Sequence, residues 1–139
     1  MTQPNDFNQK LMQDFRANAG KVSDGPFLGR PVLIITTIGA RSGIQRETPL
    51  VYGEDGKDIF IIASKGGAPA HPAWFHNIKA NPEVTIELGP DKFAARARVA
   101  AGAERDRLYN KQASAMPAFA DYEKKTTRQI PVVILERLD

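Results

Sequence analysis

Two short stretches of this chain combine residue types able to receive an anion. Ala63-Ser64-Lys65-Gly66-Gly67 ends a strand-like run and leads through His71-Pro72-Ala73-Trp74-Phe75-His76-Asn77 into a short aromatic helix. Glycines let backbone N–H groups approach a negatively charged guest closely, and a neighbouring lysine adds charge. Between Ile59 and Pro82 there is no Asp or Glu, while Lys65, Lys79, His71 and His76 are present, so the local field favours an anion. Upstream, Gly39-Ala40-Arg41-Ser42-Gly43-Ile44-Gln45-Arg46 forms a second loop of the same character. Arg41 and Arg46 there offer forked donors suited to phosphate or carboxylate. Two such loops in one small domain point to one shared ligand.

Other chemistries find less support. The three-glycine dinucleotide fingerprint and the Gly-Lys-Ser/Thr ending of a nucleotide-hydrolysing loop are both absent. Gly66-Gly67 taken alone reads as a hairpin bend. His71 and His76 lie five residues apart with no acidic companion in the segment, so no metal site is expected; His71 reads as flanking the helix start and His76 as a surface residue. There is no cysteine, which removes disulfides and thiolate chemistry. Ser42 and Ser64 lack a legible histidine and acid partner for nucleophilic catalysis. Trp74 and Phe75 read first as core packing. Phe119 and Tyr122, three apart, would share a helix face. That face either covers the core or forms an aromatic wall over a planar ring, and the residues leave both open.

The elements that must hold these residues follow from pattern. A length of 139 residues fits one domain. The balance of 19 Lys plus Arg against 16 Asp plus Glu gives a net charge of +3, compatible with an anionic ligand and short of a nucleic-acid signature. The amino terminus lacks the features of a secretory signal, and the strongest apolar run, Val32 to Ile38, is too short to span a bilayer. A soluble, cytoplasmic protein is expected. Phe7, Leu11 and Phe15 recur at helical spacing and predict an amphipathic helix over 5–18, followed by a Gly- and Pro-rich connector. Residues 1–26 are read as this helix and connector, and 27–139 as the ligand-binding domain. Strands are expected at 32–38, 47–52, 57–64, 83–88, 92–100 and 130–135, with hairpin turns at Asp55-Gly56 and Gly89-Pro90-Asp91. Helices are expected at 72–80, 103–114 and 117–126, with Glu104-Arg105-Asp106-Arg107 a solvated face. Short antiparallel strands with few helices favour a mainly β fold, a barrel or curled sheet.

In order and spacing, Gly39-Ala40-Arg41-Ser42-Gly43, Arg46, Thr48-Pro49-Leu50, Ala63-Ser64-Lys65-Gly66-Gly67 and Pro72-Ala73-Trp74-Phe75-His76-Asn77-Ile78-Lys79-Ala80-Asn81-Pro82 resemble the deazaflavin-dependent nitroreductase family. Tyr122 and Ile130-Pro131-Val132-Val133 extend the resemblance over about residues 27–136. It implies a split β-barrel of the FMN-binding type and the cofactor F420, an 8-hydroxy-5-deazaflavin with a phosphodiester and an oligoglutamate tail. It implies that Arg41 and Arg46 meet the tail and phosphate, and that Pro49, Ala63, Ser64 and Lys65 line the phosphate and ring. Trp74 and Asn77 would stand beside the cofactor, with Ser42, Gly66 and Gly67 completing the set. Tyr122 would stand over the ring face at the substrate opening, and as a candidate catalytic residue it, or water beside it, would supply the proton that completes the reduction. The implied reaction passes a hydride from the reduced cofactor to a quinone, nitroaromatic or similar planar acceptor. An FMN-binding split-barrel oxidoreductase and a non-catalytic cofactor carrier are the alternatives. A homodimer, and peripheral contact with the inner face of the membrane through the amino-terminal helix, are further expectations. Relatives active on nitroimidazoles carry several tyrosines in the carboxyl-terminal helix, where this chain has Met116, Pro117 and Phe119 beside Tyr122, a departure that bears on the acceptor rather than on the cofactor.

Overall fold

Residues 32–38 are β-branched at all but one position, and the segment is buried on both faces, which is the environment such side chains favour. In the computed structural model, which describes residues 6–138, this segment is strand β1 (Val32–Ile38). It is followed by β2 (Gln45–Asp55), β3 (Asp58–Ile62), β4 (Glu83–Leu88), β5 (Asp91–Val99) and β6 (Val132–Arg137). The strands close into a barrel in the order β1-β2-β3-β6-β5-β4, each antiparallel to its neighbours. Closure gives every strand two neighbours, though β2 meets β3 only through its last four residues.

The tight turns match the sequence. Asp55 pairs with Asp58 across Gly56 (φ +62°) and Lys57, and Leu88 pairs with Asp91 across Gly89 (φ +58°) and Pro90. The expected strand 47–52 runs on to 11 residues, because β2 serves two partners in succession. The expected strand 57–64 stops at Ile62, because Lys65–Gly67 winds into a single 3-10 turn.

Four helices cover the barrel: α1 (Asp6–Ala17), α2 (Ala73–Ala80), α3 (Gly102–Ala115) and α4 (Ala118–Lys124). Residue 5, part of the expected first helix, lies outside the described residues. Leu11, Met12 and Phe15 of α1 pack on Val32 and Ile34 outside the barrel. On the adjoining outer face, α3 and α4 place Leu108, Tyr109 and Phe119 over Phe60, Ile62, Val132 and Ile134. Trp74, Phe75 and Ile78 of α2 enter the barrel interior beside Leu33, Ile35 and Ile61. Gly20 follows α1 at φ +89°, and a Cβ there would sit 2.2 Å from Cα of Gly89, so only glycine lets the helix end lie against the β4–β5 turn.

One expectation is corrected. The helix face Glu104–Arg107 is not wholly solvated, because Arg105 is only 6% exposed. Its Nε and Nη2 donate to the carbonyl of Ile130 at 3.0 and 2.7 Å, and its Nη1 meets Asp106 and Glu123, so the buried guanidinium is satisfied. No helix among the described residues is long and apolar enough to cross a membrane.

Candidate functional site

β2 pairs with β1 through residues 45–51 but with β3 only through 52–55. Its amino-terminal half therefore presents an unpaired edge on the β3 side, where the barrel is split. Pro49 lies on this stretch, and an edge is a strand position at which a missing N–H is tolerated. Beside the split, the β1–β2 loop and α2 enclose an open cleft of about 830 Å³.

The cleft wall gathers Arg41, Ser42, Arg46, Trp74 and Asn77, five of the residues singled out from sequence. Asn77 is buried and fully engaged: its Oδ1 accepts from the N–H of Ala40 at 2.9 Å, and its Nδ2 donates to Oγ1 of Thr37 at 3.1 Å. Its amide therefore holds the arginine loop against the barrel. Trp74 is 6% exposed and belongs to the barrel core, so it meets the cleft only at its margin. Ser42 shapes its own loop by accepting from the N–H of Ile44 at 3.2 Å.

The other expected residues sit apart from that wall. Ala63 is fully buried in the core and its N–H donates to the carbonyl of Pro131 at 2.9 Å. Ser64 is 8% exposed, and Lys65 projects into solvent from a backbone at φ +48°, a left-handed conformation rare for a residue with a Cβ. Gly67, at φ +84°, packs so closely on α4 that a Cβ would lie 2.9 Å from Cβ of Lys125 and 3.0 Å from the carbonyl of Tyr122. The glycine turn thus rests on the helix that bears Tyr122. Tyr122 is half-buried, its ring 5.3 Å from that of Phe119, and its hydroxyl has no hydrogen-bond partner among the described residues. By contrast, the hydroxyl of Tyr109 donates to the carbonyl of Phe119 at 2.5 Å, and burial pushes its pKa up to about 12.

The electrostatics of the two loops agree in sign. Arg41, Arg46 and Lys65 make no ion pair among the described residues, whereas Arg16, Arg98, Arg105 and Arg107 all do. Glu47 is the sole carboxylate in the cleft wall, and Nη2 of Arg16 meets its Oε2 at 2.6 Å. The same guanidinium grips Glu87 at 2.6 and 2.9 Å and holds that carboxyl below its ordinary pKa. The cleft is left cationic. This donor set of free cations and glycine backbone fits a ligand with a phosphate and further carboxylates. No cluster of metal-ligating side chains occurs among the described residues.

Residues 9–137 match the model of the F420H(2)-dependent quinone reductases. The chain belongs to that family. It is 36% identical over 126 residues to an F420H(2)-dependent quinone reductase of Mycobacterium tuberculosis, covering 88% of this chain and 85% of the relative. Among solved structures, an F420-H2-dependent reductase superposes with a TM-score of 0.70 at 42% identity, over 77% of this chain and 95% of its own. A domain-swapped dimer superposes with a TM-score of 0.72 at 36% identity, over 96% of this chain and 100% of its own. The family member described here is therefore an F420-dependent oxidoreductase on a split barrel, as the sequence blocks implied.

Sequence reasoning missed Arg16 and Arg128. Arg16 looked like any exposed helix residue, and its two acidic partners lie 31 and 71 positions away. Arg128 occupies a segment without a motif, and its acceptors lie 57 to 64 positions earlier. Neither has a local signal.

Proposed function

We propose that this protein transfers two electrons from reduced F420 to a quinone or a comparable planar electrophile, with Arg41, Arg46 and Lys65 receiving the anionic groups of the cofactor. The observation that carries the reading is the set of three cations without ion-pair partners, Arg41 and Arg46 in the cleft wall and Lys65 on the turn that follows β3, in a member of this family. When bound, the reduced deazaflavin supplies a hydride, and a quinone that takes that hydride and one proton becomes a quinol.

The chain's own residues bind, orient and protonate. Arg41 and Arg46 present forked donors to the acidic tail, while Ser42 and Asn77 fix the shape of their loop. Lys65 and the backbone N–H groups of Ser64 and Gly66 receive the phosphate, while Gly67, whose own N–H donates to the carbonyl of Ser64, shapes the turn. Pro49, on the open stretch of β2, offers a flat apolar wall for the ring. Trp74 stiffens the cleft floor, and Ala63 contributes only the anchoring of its main chain. The free hydroxyl of Tyr122 gives its proton to the acceptor oxygen in this reading, a role that asks for no strong base. Most of the rate then comes from holding two planar partners together away from water.

Helix α1 is best read as a cover for the acceptor end of the site, since Leu11, Met12 and Phe15 already pack on the barrel. Peripheral membrane contact is left with Phe7, 49% exposed, and Leu28, 60% exposed, as its apolar groups. The domain-swapped relative supports a homodimer, which sedimentation equilibrium would test, and a cytoplasmic location accompanies the same reading.

The test is turnover. Purified protein mixed with reduced F420 should restore the fluorescence of oxidised F420 when a soluble short-chain quinone is added. Absence of acceptor-dependent oxidation, despite tight cofactor binding, would make the protein a carrier.

A further inference from the structure

The strap between α4 and β6 carries a cation that the reading above does not use. Arg128 donates from three nitrogens to three acceptors in the segment joining β3 to α2: Nη2 to the carbonyl of Ser64 at 2.8 Å, Nε to the carbonyl of Ala68 at 2.9 Å, and Nη1 to Nδ1 of His71 at 3.0 Å. A guanidinium can only donate, so Nδ1 of His71 carries a lone pair and the imidazole holds its proton on Nε2. All three acceptors are neutral. Among the described residues no carboxylate pairs with Arg128, so its charge is not cancelled.

The segment needs such a hold. Lys65 and Gly67 both sit at positive φ, and the turn's own bonds are short-range: Gly67 N–H to the carbonyl of Ser64 at 2.9 Å, and Ala68 N–H to the carbonyl of Lys65 at 3.1 Å. A non-glycine residue stays in the left-handed region only where its surroundings over-determine it. Arg128 grips the carbonyl just before the strained turn and the one just after it. Arg105 anchors the strap itself through Ile130 and is paired with Glu123 and Asp106, so the strap does not depend on Arg128.

We infer that Arg128 is a positioning residue for the anion-receiving turn, clamping Ser64 and Ala68 across Lys65–Gly67 while its uncancelled charge strengthens the field that the anion meets. The inference rests on reading that turn as a cofactor site, so its test has one arm without cofactor.

Full-length wild type, Arg128→Lys and Arg128→Ala are compared first by amide hydrogen exchange of the cofactor-free protein. Both variants should lose protection at Gly67 and Ala68 by roughly tenfold or more, while the amides of β1 and β6 keep theirs. Lysine retains the charge but can serve few of the three acceptors at once. In the second arm, F420 affinity should fall by about tenfold in Arg128→Lys and further in Arg128→Ala, with added methylguanidinium restoring part of the loss in the alanine variant. KM for F420 should rise, with kcat and KM for the quinone unchanged. Unaltered exchange at Gly67 and Ala68, or equal loss across the barrel strands, overturns the clamp. Wild-type affinity in Arg128→Lys overturns its bearing on the cofactor. Failure of the wild type to bind F420 strikes instead at the reading of the turn, and the exchange arm still decides the clamp.

Discussion

Replacing Lys65 separates two properties that one residue combines. Its backbone sits at φ +48°, where a Cβ costs roughly 1–2 kcal/mol and a glycine costs nothing steric. Glycine returns roughly 0.5–1 kcal/mol of that gain through its larger freedom in the unfolded chain. The exposed ammonium has no ion-pair partner among the described residues, so its removal forfeits no salt bridge. Lys65→Gly should therefore stabilise the fold by about 0.5–1 kcal/mol, a rise of roughly 2–5 °C in Tm for a chain of this size. Lys65→Ala keeps the strain and should melt close to wild type. On the binding side, two unit charges 4 Å apart interact by about 1 kcal/mol in water and about 4 kcal/mol at an effective dielectric of 20. An exposed lysine belongs toward the lower end, so both variants should bind F420 about 5–30-fold more weakly, and the deficit should shrink as salt rises. Thermal unfolding and fluorescence titration on the same preparations give both numbers. Wild-type affinity in Lys65→Ala would show that this turn does not receive the anion. A lower Tm in Lys65→Gly would show that the left-handed backbone carries no releasable strain.

Tyr122→Phe should lower kcat for quinone reduction by roughly 10–100-fold at saturating F420 with cofactor affinity unchanged, if the hydroxyl donates the proton; single-turnover kinetics would show it, and an unchanged rate would leave the residue only a packing role. Arg16→Met should free Glu47 to repel the cofactor and weaken F420 binding about 2–5-fold at low ionic strength, with little effect at high salt, because the pair is largely exposed. Burial, then the nearby charges of Arg128, His76 and Lys79, hold the pKa of His71 below its ordinary 6.5, so the folded state prefers the neutral ring. Its contribution to stability is complete above pH 6.5 and is lost as pH falls below that value, because protonated Nδ1 can no longer accept from Arg128. Protection of Gly67 and Ala68, normalised for intrinsic exchange, should drop in that acidic range in wild type and stay flat in His71→Asn.

The barrel was legible because its strands are β-branched runs separated by turn residues, and β4 spans the expected residues 83–88. Strand ends were less so: nothing local shows that β2 must outrun β3 to open the split, or that Lys65–Gly67 would coil rather than extend. In the site, Lys65 was visible through the long stretch without acids and Arg41 and Arg46 through their glycine-flanked loop, and the structure leaves all three without ion pairs. The bonds that hold them in place were not. Asn77 reads as one polar residue of an aromatic helix until Ala40 is brought to it from 37 positions away. Arg105 reads as one charge of a solvated run until Ile130 offers its carbonyl. Ala63 belonged to a recognisable block, yet strand alternation turns its methyl into the core. Charge that faces solvent can be read from composition, whereas hydrogen bonds made across the fold depend on register and closure.

The measurement that bears most directly on the central claim is a fluorescence titration of the purified protein with oxidised F420 beside FMN, repeated with Arg41→Ala and Arg46→Ala. Two free arginines beyond the phosphate turn predict that F420 binds more tightly than FMN, and that losing either arginine weakens F420 far more than FMN, since only F420 carries an oligoglutamate tail. Equal affinity for the two cofactors, or F420 binding indifferent to both arginines, would contradict the account.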